Sequence, residues 1–244
     1  MRDDFTLSSY RHILELAQFN DYQFIGFDQV GKEQTSSTCL LRHDIDSELW
    51  SCLEMAKIER ELGVEATYFV MLRSTAYNLF CIESLTCLKN LVSQGHKIGL
   101  HFMGELCDTD SAAKVREKVI LEVDVLKREL GCEINAVSFH QPSKTILDYD
   151  LQIGDLINTY NKIQLKDYYY FSDTNMQWKS GHPEEVFSKI INPRLQLLIH
   201  PIWWTRQQES AKNKWQNVLD KNRKTIVEHW MKRERSLINV DLSA

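Results

Sequence analysis

The sequence predicts an α/β protein built on a mainly parallel β-sheet. Short apolar segments rich in β-branched and aromatic residues alternate along the 244 residues with longer segments of helical periodicity. Strands that alternate with helices usually pair in parallel. Hydrophobic residues make up 43% of the chain and charged residues 26%, which is the balance of a globular protein. The length suits one large domain or two small ones, and periodicity alone leaves an open sheet and a closed barrel as alternatives.

The first half of the chain alternates regularly. A helix is expected near residues 7–19. Apolar segments then predict three strands, at residues 38–46 (TCLLRHDID), 66–72 (ATYFVML) and 96–102 (HKIGLHF). A segment of helical periodicity follows each strand, from about residue 49, over 81–94 and over 111–130. Glycine stands where each of these helices is expected to end, at Gly63, Gly95 and Gly131.

The second half gives two more clear strands, at residues 134–140 (INAVSFH) and 194–200 (RLQLLIH). The elements within 145–190 are less clear. A charged amphipathic helix is expected over about residues 206–235, with Trp215, Leu219, Ile226 and Trp230 on one face. No linker or repeat interrupts the pattern, so residues 1–244 are interpreted as one domain.

Charge and cysteine usage exclude several classes of protein. Twenty-nine Lys and Arg against 34 Asp and Glu give a net charge of −5, which argues against a dedicated nucleic-acid binder. The six cysteines contain no C-x-x-C pair and are interpreted as core residues. The N-terminal segment has no apolar signal region, and no apolar run is long enough to span a membrane. We therefore expect a cytoplasmic protein.

Acidic and histidine side chains follow the predicted strands at their carboxyl ends. They are Asp44 and Asp46, His101, His140, His200 and, after an aromatic segment, Asp173. The carboxyl ends of parallel strands share one edge of the sheet, where active sites are built, so these side chains are expected to converge. Taken singly, each could have a purely structural role, since Asp46 could cap a helix and His140 could orient a turn. Together they favour a site for Zn²⁺ or a similar divalent ion.

Five segments in order resemble the motifs of the polysaccharide deacetylase family, the NodB homology domain of carbohydrate esterase family 4. They are RHDID with the following GVEATYFV, then GHKIGLH, AVSFHQPS, FSDTNMQW and LLIHP, spread over residues 38–204. The resemblance implies a distorted (β/α) barrel of mainly parallel strands that binds one divalent metal ion, most simply Zn²⁺. It also links the chain to a branch associated with surface-polysaccharide synthesis, such as that of lipopolysaccharide O-antigen.

The resemblance also assigns roles to individual residues. Asp44 matches the general base and His200 the general acid, while Asp173 matches the aspartate that orients a catalytic partner. Asp46 and His101 match two of the metal ligands. The implied reaction is removal of an N-acyl group from an amino sugar or sugar precursor, linked to a nucleotide or a lipid.

The sequence departs from the family pattern in two places. Glu105 stands where the second metal histidine belongs, and the arginine of the third motif is replaced near His140. The third ligand is therefore either Glu105 or His140, and we favour His140 because imidazole is a common zinc ligand. His96 matches a position that is usually structural.

The remaining expectations concern substrate and partners. Tyr77, Asn78, Trp203 and Trp204 are candidates for lining a sugar cleft, although tryptophan at a strand end is as often part of the core. Two alternatives to the hydrolase stay open: a catalytically inactive carbohydrate-binding or regulatory protein, and a deformylase or amide-transfer enzyme. We expect no nucleic-acid partner and no membrane span, and the sequence leaves a homodimer open.

Overall fold

The structure is a computed structural model, which describes residues 5–34, 36–104, 111–188, 192–234 and 236. The helices are α1 (Leu7–Phe19), α2 (Trp50–Leu62), α3 (Ile82–Ser93), α4 (Ala112–Leu130), α5 (Lys144–Asp148), α6 (Pro183–Ser188) and α7 (Ala211–Met231). The strands are β1 (Tyr22–Phe24), β2 (Ser37–Ile45), β3 (Thr67–Val70), β4 (Lys97–Met103), β5 (Ile134–His140), β6 (Ile157–Asn158), β7 (Tyr169–Ser172) and β8 (Arg194–Ile199). Short 3-10 helices lie at Phe27–Gln29 and Pro201–Trp203.

The strands form one sheet in which every pairing between them is parallel. Their order is β6-β5-β4-β3-β2-β8-β7, and β1 pairs with the first residues of β2. The central strands are buried on both faces, as the continuous apolar runs of the sequence predict. The predicted α/β class with mainly parallel strands is therefore confirmed.

The sheet curves into a half-barrel. Thr159, which follows the edge strand β6, accepts a hydrogen bond at Oγ1 from Nη1 of Arg42 on the central strand β2, at 2.9 Å. The carbonyl of Thr159 accepts a second one from Nε2 of Gln196 on β8, at 3.4 Å. A residue beside the edge of the sheet thus contacts strands at its centre. Such contacts require a curved sheet with a polar interior, so the predicted distorted barrel is confirmed.

The helix boundaries follow local sequence signals. Ser111 caps α4 by accepting a hydrogen bond from the backbone N–H of Lys114, and the φ of 64° at Gly131 ends that helix. Gly63, with a φ of 67°, ends α2 in the same way. The apolar face of α4 packs against the sheet through Val115, Val119, Val123 and Leu126. Helix 111–130 thus forms as its periodicity predicts.

The C-terminal helix differs from its prediction in extent and in packing. It begins at Ala211 because Ser210 caps it by accepting a hydrogen bond from the N–H of Asn213, and it ends at Met231. The predicted apolar face of Trp215, Leu219, Ile226 and Trp230 is exposed, whereas Lys214 and Val218 are its buried residues. An amphipathic pattern shows which residues share a face but not what covers that face.

Two further findings concern the described residues only. None of the helices described has both the length and the apolar composition needed to cross a membrane. Five of the cysteines are free thiols there, namely Cys39, Cys52, Cys81, Cys87 and Cys132. Cys107 lies outside the described residues.

Candidate metal centre

The carboxyl ends of β2, β4, β5 and β8 bring the predicted acidic and histidine residues to one edge of the sheet. Asp46 follows β2, His101 lies near the end of β4, and His140 is the last residue of β5. His200 follows β8, and its Nε2 lies 4.0 Å from Oδ2 of Asp46. Five of the candidates, Asp44, Asp46, His101, His140 and His200, therefore lie close together. Glu105 lies outside the described residues.

Three of these side chains present ligand atoms to a common point. Nε2 of His101 lies 3.1 Å from Oδ1 of Asp46 and 3.2 Å from Nδ1 of His140. Nδ1 of His140 is 3.1 Å from the same Asp46 oxygen. The side chain of His101 is 2% exposed, that of His140 17% and that of Asp46 27%. His101 is thus buried beneath the other two ligands, whereas His140 and Asp46 remain partly open to solvent.

The donor atoms fit a divalent ion of the zinc type. Ligands about 2.0–2.1 Å from a tetrahedral zinc ion lie roughly 3.3 Å from one another, close to the spacing of these three atoms. One carboxylate and two imidazoles, with an open side for a further ligand, are the donor set of a catalytic rather than a structural zinc site. Burial raises the pKa of Asp46, but hydrogen bonds from His101 and His140 and the charges of His101 and His200 together outweigh it, so this carboxylate is ionised.

Asp46 does not have the alternative role of a helix cap. Helix α2 begins at Trp50, and its cap position is held by Leu49, whose side chain makes no capping hydrogen bond. The first turn is instead satisfied by Glu48, which accepts a hydrogen bond from the backbone N–H of Ser51 at 3.0 Å. The carboxylate of Asp46 is therefore left to face the two histidines.

Ser138 links two of the site residues, and the motifs of the sequence did not single it out. Its Oγ lies 2.5 Å from Nδ1 of His101 and 3.5 Å from Oδ1 of Asp44, to which it donates. When Nδ1 of His101 donates to this oxygen, Nε2 keeps its lone pair for a metal ion. The sequence contains a signal for Ser138, because it lies two residues before His140 on the predicted strand and therefore points to the same face of the sheet.

Asp44 is held by a buried arginine from its own strand. Nε of Arg42 donates to Oδ1 at 2.7 Å, and Nη2 donates to Oδ2 at 2.6 Å. The side chains are 0% and 3% exposed, respectively. Burial raises the pKa of Asp44, but the charge and hydrogen bonds of Arg42, together with the charges of His101 and His200, outweigh it, so the net shift is downward. The guanidinium also packs between the rings of Phe69 and Tyr160.

His200 is oriented by Asp173, which follows β7. Oδ1 of Asp173 lies 2.6 Å from Nδ1 of His200, and both of its oxygens accept from the backbone N–H of His200. Nε1 of Trp204 donates to Oδ2 at 2.8 Å. Burial lowers the pKa of His200, but Asp173, with smaller contributions from Asp46 and Asp44, raises it to about 9. His200 is therefore protonated at neutral pH.

The structure shows the surroundings of the four residues predicted to line a sugar cleft. The hydroxyl of Tyr77 donates to the carbonyl of Ile45 and accepts from the N–H of Met71, both at 2.9 Å. Asn78 is exposed, with its Oδ1 accepting from a nearby backbone N–H. Trp203 and Trp204 are only 8% and 2% exposed. Both indoles pack in the core, so neither lines an open cleft.

A second buried polar cluster supports the sheet away from the metal ligands. Glu59 of α2 lies 2.7 Å from Nε2 of His43 and accepts a hydrogen bond at the same distance from the hydroxyl of Tyr68. His96 lies beside it, with Nδ1 3.4 Å from Oε2 of Glu59. His96 is thus part of a buried network, in line with the structural role expected for it.

Comparison of the sequence with protein-family models and with curated proteins gives no match. Among solved structures the chain is similar to BA3943, a CE4 family pseudoenzyme from Bacillus anthracis. The two sequences are 13% identical, the alignment covers 79% of this chain and 63% of that chain, and the TM-score is 0.47. A family 4 carbohydrate esterase from Bacillus anthracis matches with 18% identity, coverage of 87% and 85%, and a TM-score of 0.43. IcaB from Ammonifex degensii matches with 12% identity, 87% of both chains covered, and a TM-score of 0.45.

The aligned region spans 63–65% of the three BA3943 chains, which is less than two thirds of their length. BA3943 and the Bacillus anthracis esterase are both proteins of carbohydrate esterase family 4, the family whose motifs this sequence resembles. The likeness to these structures is one of fold.

Proposed function

We propose that the protein is a metal-dependent hydrolase that removes an N-acyl group from an amino sugar or a sugar precursor. The observation that carries the proposal is the triangle of Asp46, His101 and His140 beside the paired carboxylate of Asp44 and the protonated His200. This edge of the sheet thus combines ligands for a metal ion, a proton acceptor and a proton donor. Hydrolysis of an amide needs all three.

Asp46, His101 and His140 would hold the ion, and Ser138 would fix the imidazole of His101. A bound divalent ion polarises an acyl carbonyl and increases the acidity of water. Asp44, kept ionised by Arg42, is available to accept the proton that the attacking water loses.

His200 has the complementary task. As water adds to the acyl carbon and the C–N bond breaks, the departing amine needs a proton. Asp173, the main cause of the raised pKa of His200, favours the protonated imidazole that supplies this proton. Asp173 holds Nδ1, so Nε2 points towards Asp46 and the open side of the site.

The finer parts of the proposal rest on the resemblance of the motifs. They are zinc as the metal, a nucleotide-linked or lipid-linked amino sugar as the substrate, and a cytoplasmic role in surface-polysaccharide synthesis such as that of O-antigen. The two departures from the family pattern favour a non-catalytic alternative, a carbohydrate-binding protein on the same fold. His140 and Arg42 support the hydrolase, because they lie where a third ligand and a partner for Asp44 are needed.

A substrate panel tests the proposal. Zinc-loaded protein is incubated with N-acetylated and N-formylated sugar nucleotides and lipid-linked sugars, and the free amine is measured. We expect Asp44→Asn to lower turnover by about 10²–10⁴-fold with unchanged zinc content. The matched control Asp155→Asn, at an exposed position, should behave as the wild type. Absence of amine release from every compound, or full activity of Asp44→Asn, would contradict the proposal, and preference for formylated compounds would indicate a deformylase.

A further inference from the structure

Helix α7 carries an apolar stripe on its exposed side, interrupted between Leu219 and Ile226 by Asn222 and Arg223. The stripe consists of Trp215, Leu219, Ile226 and Trp230, which are 41%, 58%, 59% and 51% exposed. With about 100° between successive residues, these four side chains fall within an arc of roughly 60°. Four large apolar side chains on the same side of one helix form a patch, whereas exposed apolar residues on an ordinary surface are scattered singly.

The stripe is not the face by which α7 packs on the rest of the protein. Nζ of Lys214 donates to the carbonyl of Phe5 at 2.9 Å and to that of Trp203, and Val218 is 6% exposed. Nδ2 of Asn222 donates to the carbonyl of Ala76 at 3.1 Å. These contacts hold the helix on a neighbouring side. Of the stripe residues, Trp215 also packs on Trp203, and the other three face outwards.

The charge around the stripe is positive. Residues 206–234 contain eight Lys and Arg against four Asp and Glu, in a chain whose net charge is −5. Lys212, Arg223 and Arg233 lie within about 20° of the arc that the stripe occupies. Basic residues beside an apolar stripe with tryptophan at both ends are the pattern of a helix that lies in the interface of an anionic membrane.

The helix also lies at the edge of the sheet that carries the metal centre. Ring centroids of Trp203, three residues after His200, and Trp215 are 6.2 Å apart. Nζ of Lys221 lies 4.0 Å above the ring of Trp50, in the segment that follows Asp46. Helix α7 therefore packs on the segments after β2, β3 and β8, beside the candidate site.

We propose that α7 is a docking surface for an anionic lipid bilayer. A second copy of this chain is a poorer occupant, because two such faces would bring the same basic residues together. A bilayer containing anionic lipid supplies both the apolar depth and the opposite charge. The docking surface stands without the proposed function. The substrate class, in contrast, rests on the proposed function. A hydrolase docked on a membrane in this way would act on a lipid-linked amino sugar presented at the membrane surface.

Vesicle sedimentation without substrate tests the docking surface. Purified protein is mixed with vesicles of phosphatidylcholine alone or with about one third phosphatidylglycerol. We expect the protein to bind the anionic vesicles at least about tenfold more tightly than the vesicles of phosphatidylcholine alone. Added salt should weaken this binding. Two variants of α7 should each lower that binding by about tenfold or more. One removes apolar side chains (Leu219→Ser/Ile226→Ser), and the other removes positive charges (Lys212→Gln/Arg223→Gln/Arg233→Gln).

Matched controls change the same residue types elsewhere. Phe19→Ser/Ile163→Ser removes two exposed apolar side chains, and Lys162→Gln/Lys166→Gln/Lys179→Gln removes three exposed charges. Both controls should bind as the wild type, and circular dichroism checks the fold of every variant. Equal binding of the wild type and the stripe variant would overturn the proposal. So would a dimer in sedimentation equilibrium that Leu219→Ser/Ile226→Ser dissociates. Hydrolase activity plays no part in this readout, so the two proposals can fail separately.

Discussion

Arg42 and Asp44 form a two-point ion pair in the interior of the half-barrel, with Nε–Oδ1 and Nη2–Oδ2 distances of 2.7 and 2.6 Å. They are two residues apart on β2, so their side chains lie on the same face of the strand. Asp44 also lies 3.6 Å from Nε2 of His101. The pair thus connects the core of the sheet to the candidate metal centre and fixes both oxygens of the proposed base.

Loss of Arg42 should strongly destabilise the protein. Arg42→Met would leave the carboxylate of Asp44 buried without the guanidinium that holds both of its oxygens, which costs about 3–5 kcal/mol. Arg42→Met/Asp44→Asn should lose less than the sum of the two single variants, by more than about 1 kcal/mol. Urea denaturation measures the free energies of unfolding. As a control, Arg194→Met breaks an exposed pair with Asp167 and should cost under about 1 kcal/mol. Strict additivity at Arg42 and Asp44 would show that the pair is not coupled.

Ser138→Ala should weaken metal binding without removing a ligand. The hydroxyl of Ser138 holds Nδ1 of His101, and partners of this kind typically change metal affinity by about 10–100-fold. Zinc competition with a chromogenic chelator measures the affinity. Ser172→Ala, which removes another largely buried serine from β7, should leave it unchanged. An unchanged affinity in Ser138→Ala would mean that this hydrogen bond has no part in setting up the site.

The pair of His200 and Asp173 predicts a dependence of stability on pH. The pKa of His200 is raised from 6.5 to about 9 in the folded protein, so its protonation stabilises the fold fully below pH 6.5. This contribution, on the order of 3 kcal/mol, should decline from pH 6.5 and be lost above about pH 9. Chelator-treated protein is the sample, and urea denaturation at several pH values is the measurement.

The matched variant for this prediction is Asp173→Asn. Since Asp173 is the main cause of the raised pKa, the variant should lose stability less steeply between pH 6.5 and 9 than the wild type. Asp155→Asn, at an exposed position, should keep the slope of the wild type. Parallel curves for the wild type and Asp173→Asn would contradict the link between the two residues.

The strand ends and helix stops could be predicted from sequence because local features determine them. A buried strand such as β5 reads as an apolar run that ends in a polar residue, and His140 is its last residue in the structure. A glycine that ends a helix, such as Gly131, adopts a positive φ that other residues rarely take. Both signals lie within a few residues and need no knowledge of the tertiary structure.

The partners of the site residues could not be predicted, because they depend on packing between distant segments. Ser138 shares a face with His140 by alternation, but its contact with His101 depends on the register of β5 against β4. Likewise, an indole after a strand can face a cleft or the core. Trp204 faces the core because its Nε1 reaches Asp173. Neither choice is determined by the local sequence.

The proposed chemistry depends above all on one divalent ion held by Asp46, His101 and His140, and elemental mass spectrometry of zinc-reconstituted protein measures that ion. We predict about one ion per chain in the wild type and its loss in Asp46→Ala, His101→Ala and His140→Ala. His12→Ala, at an exposed histidine, should keep the ion. A wild type that binds no metal, or a His140→Ala variant that keeps a full equivalent, would contradict the assignment of these three ligands.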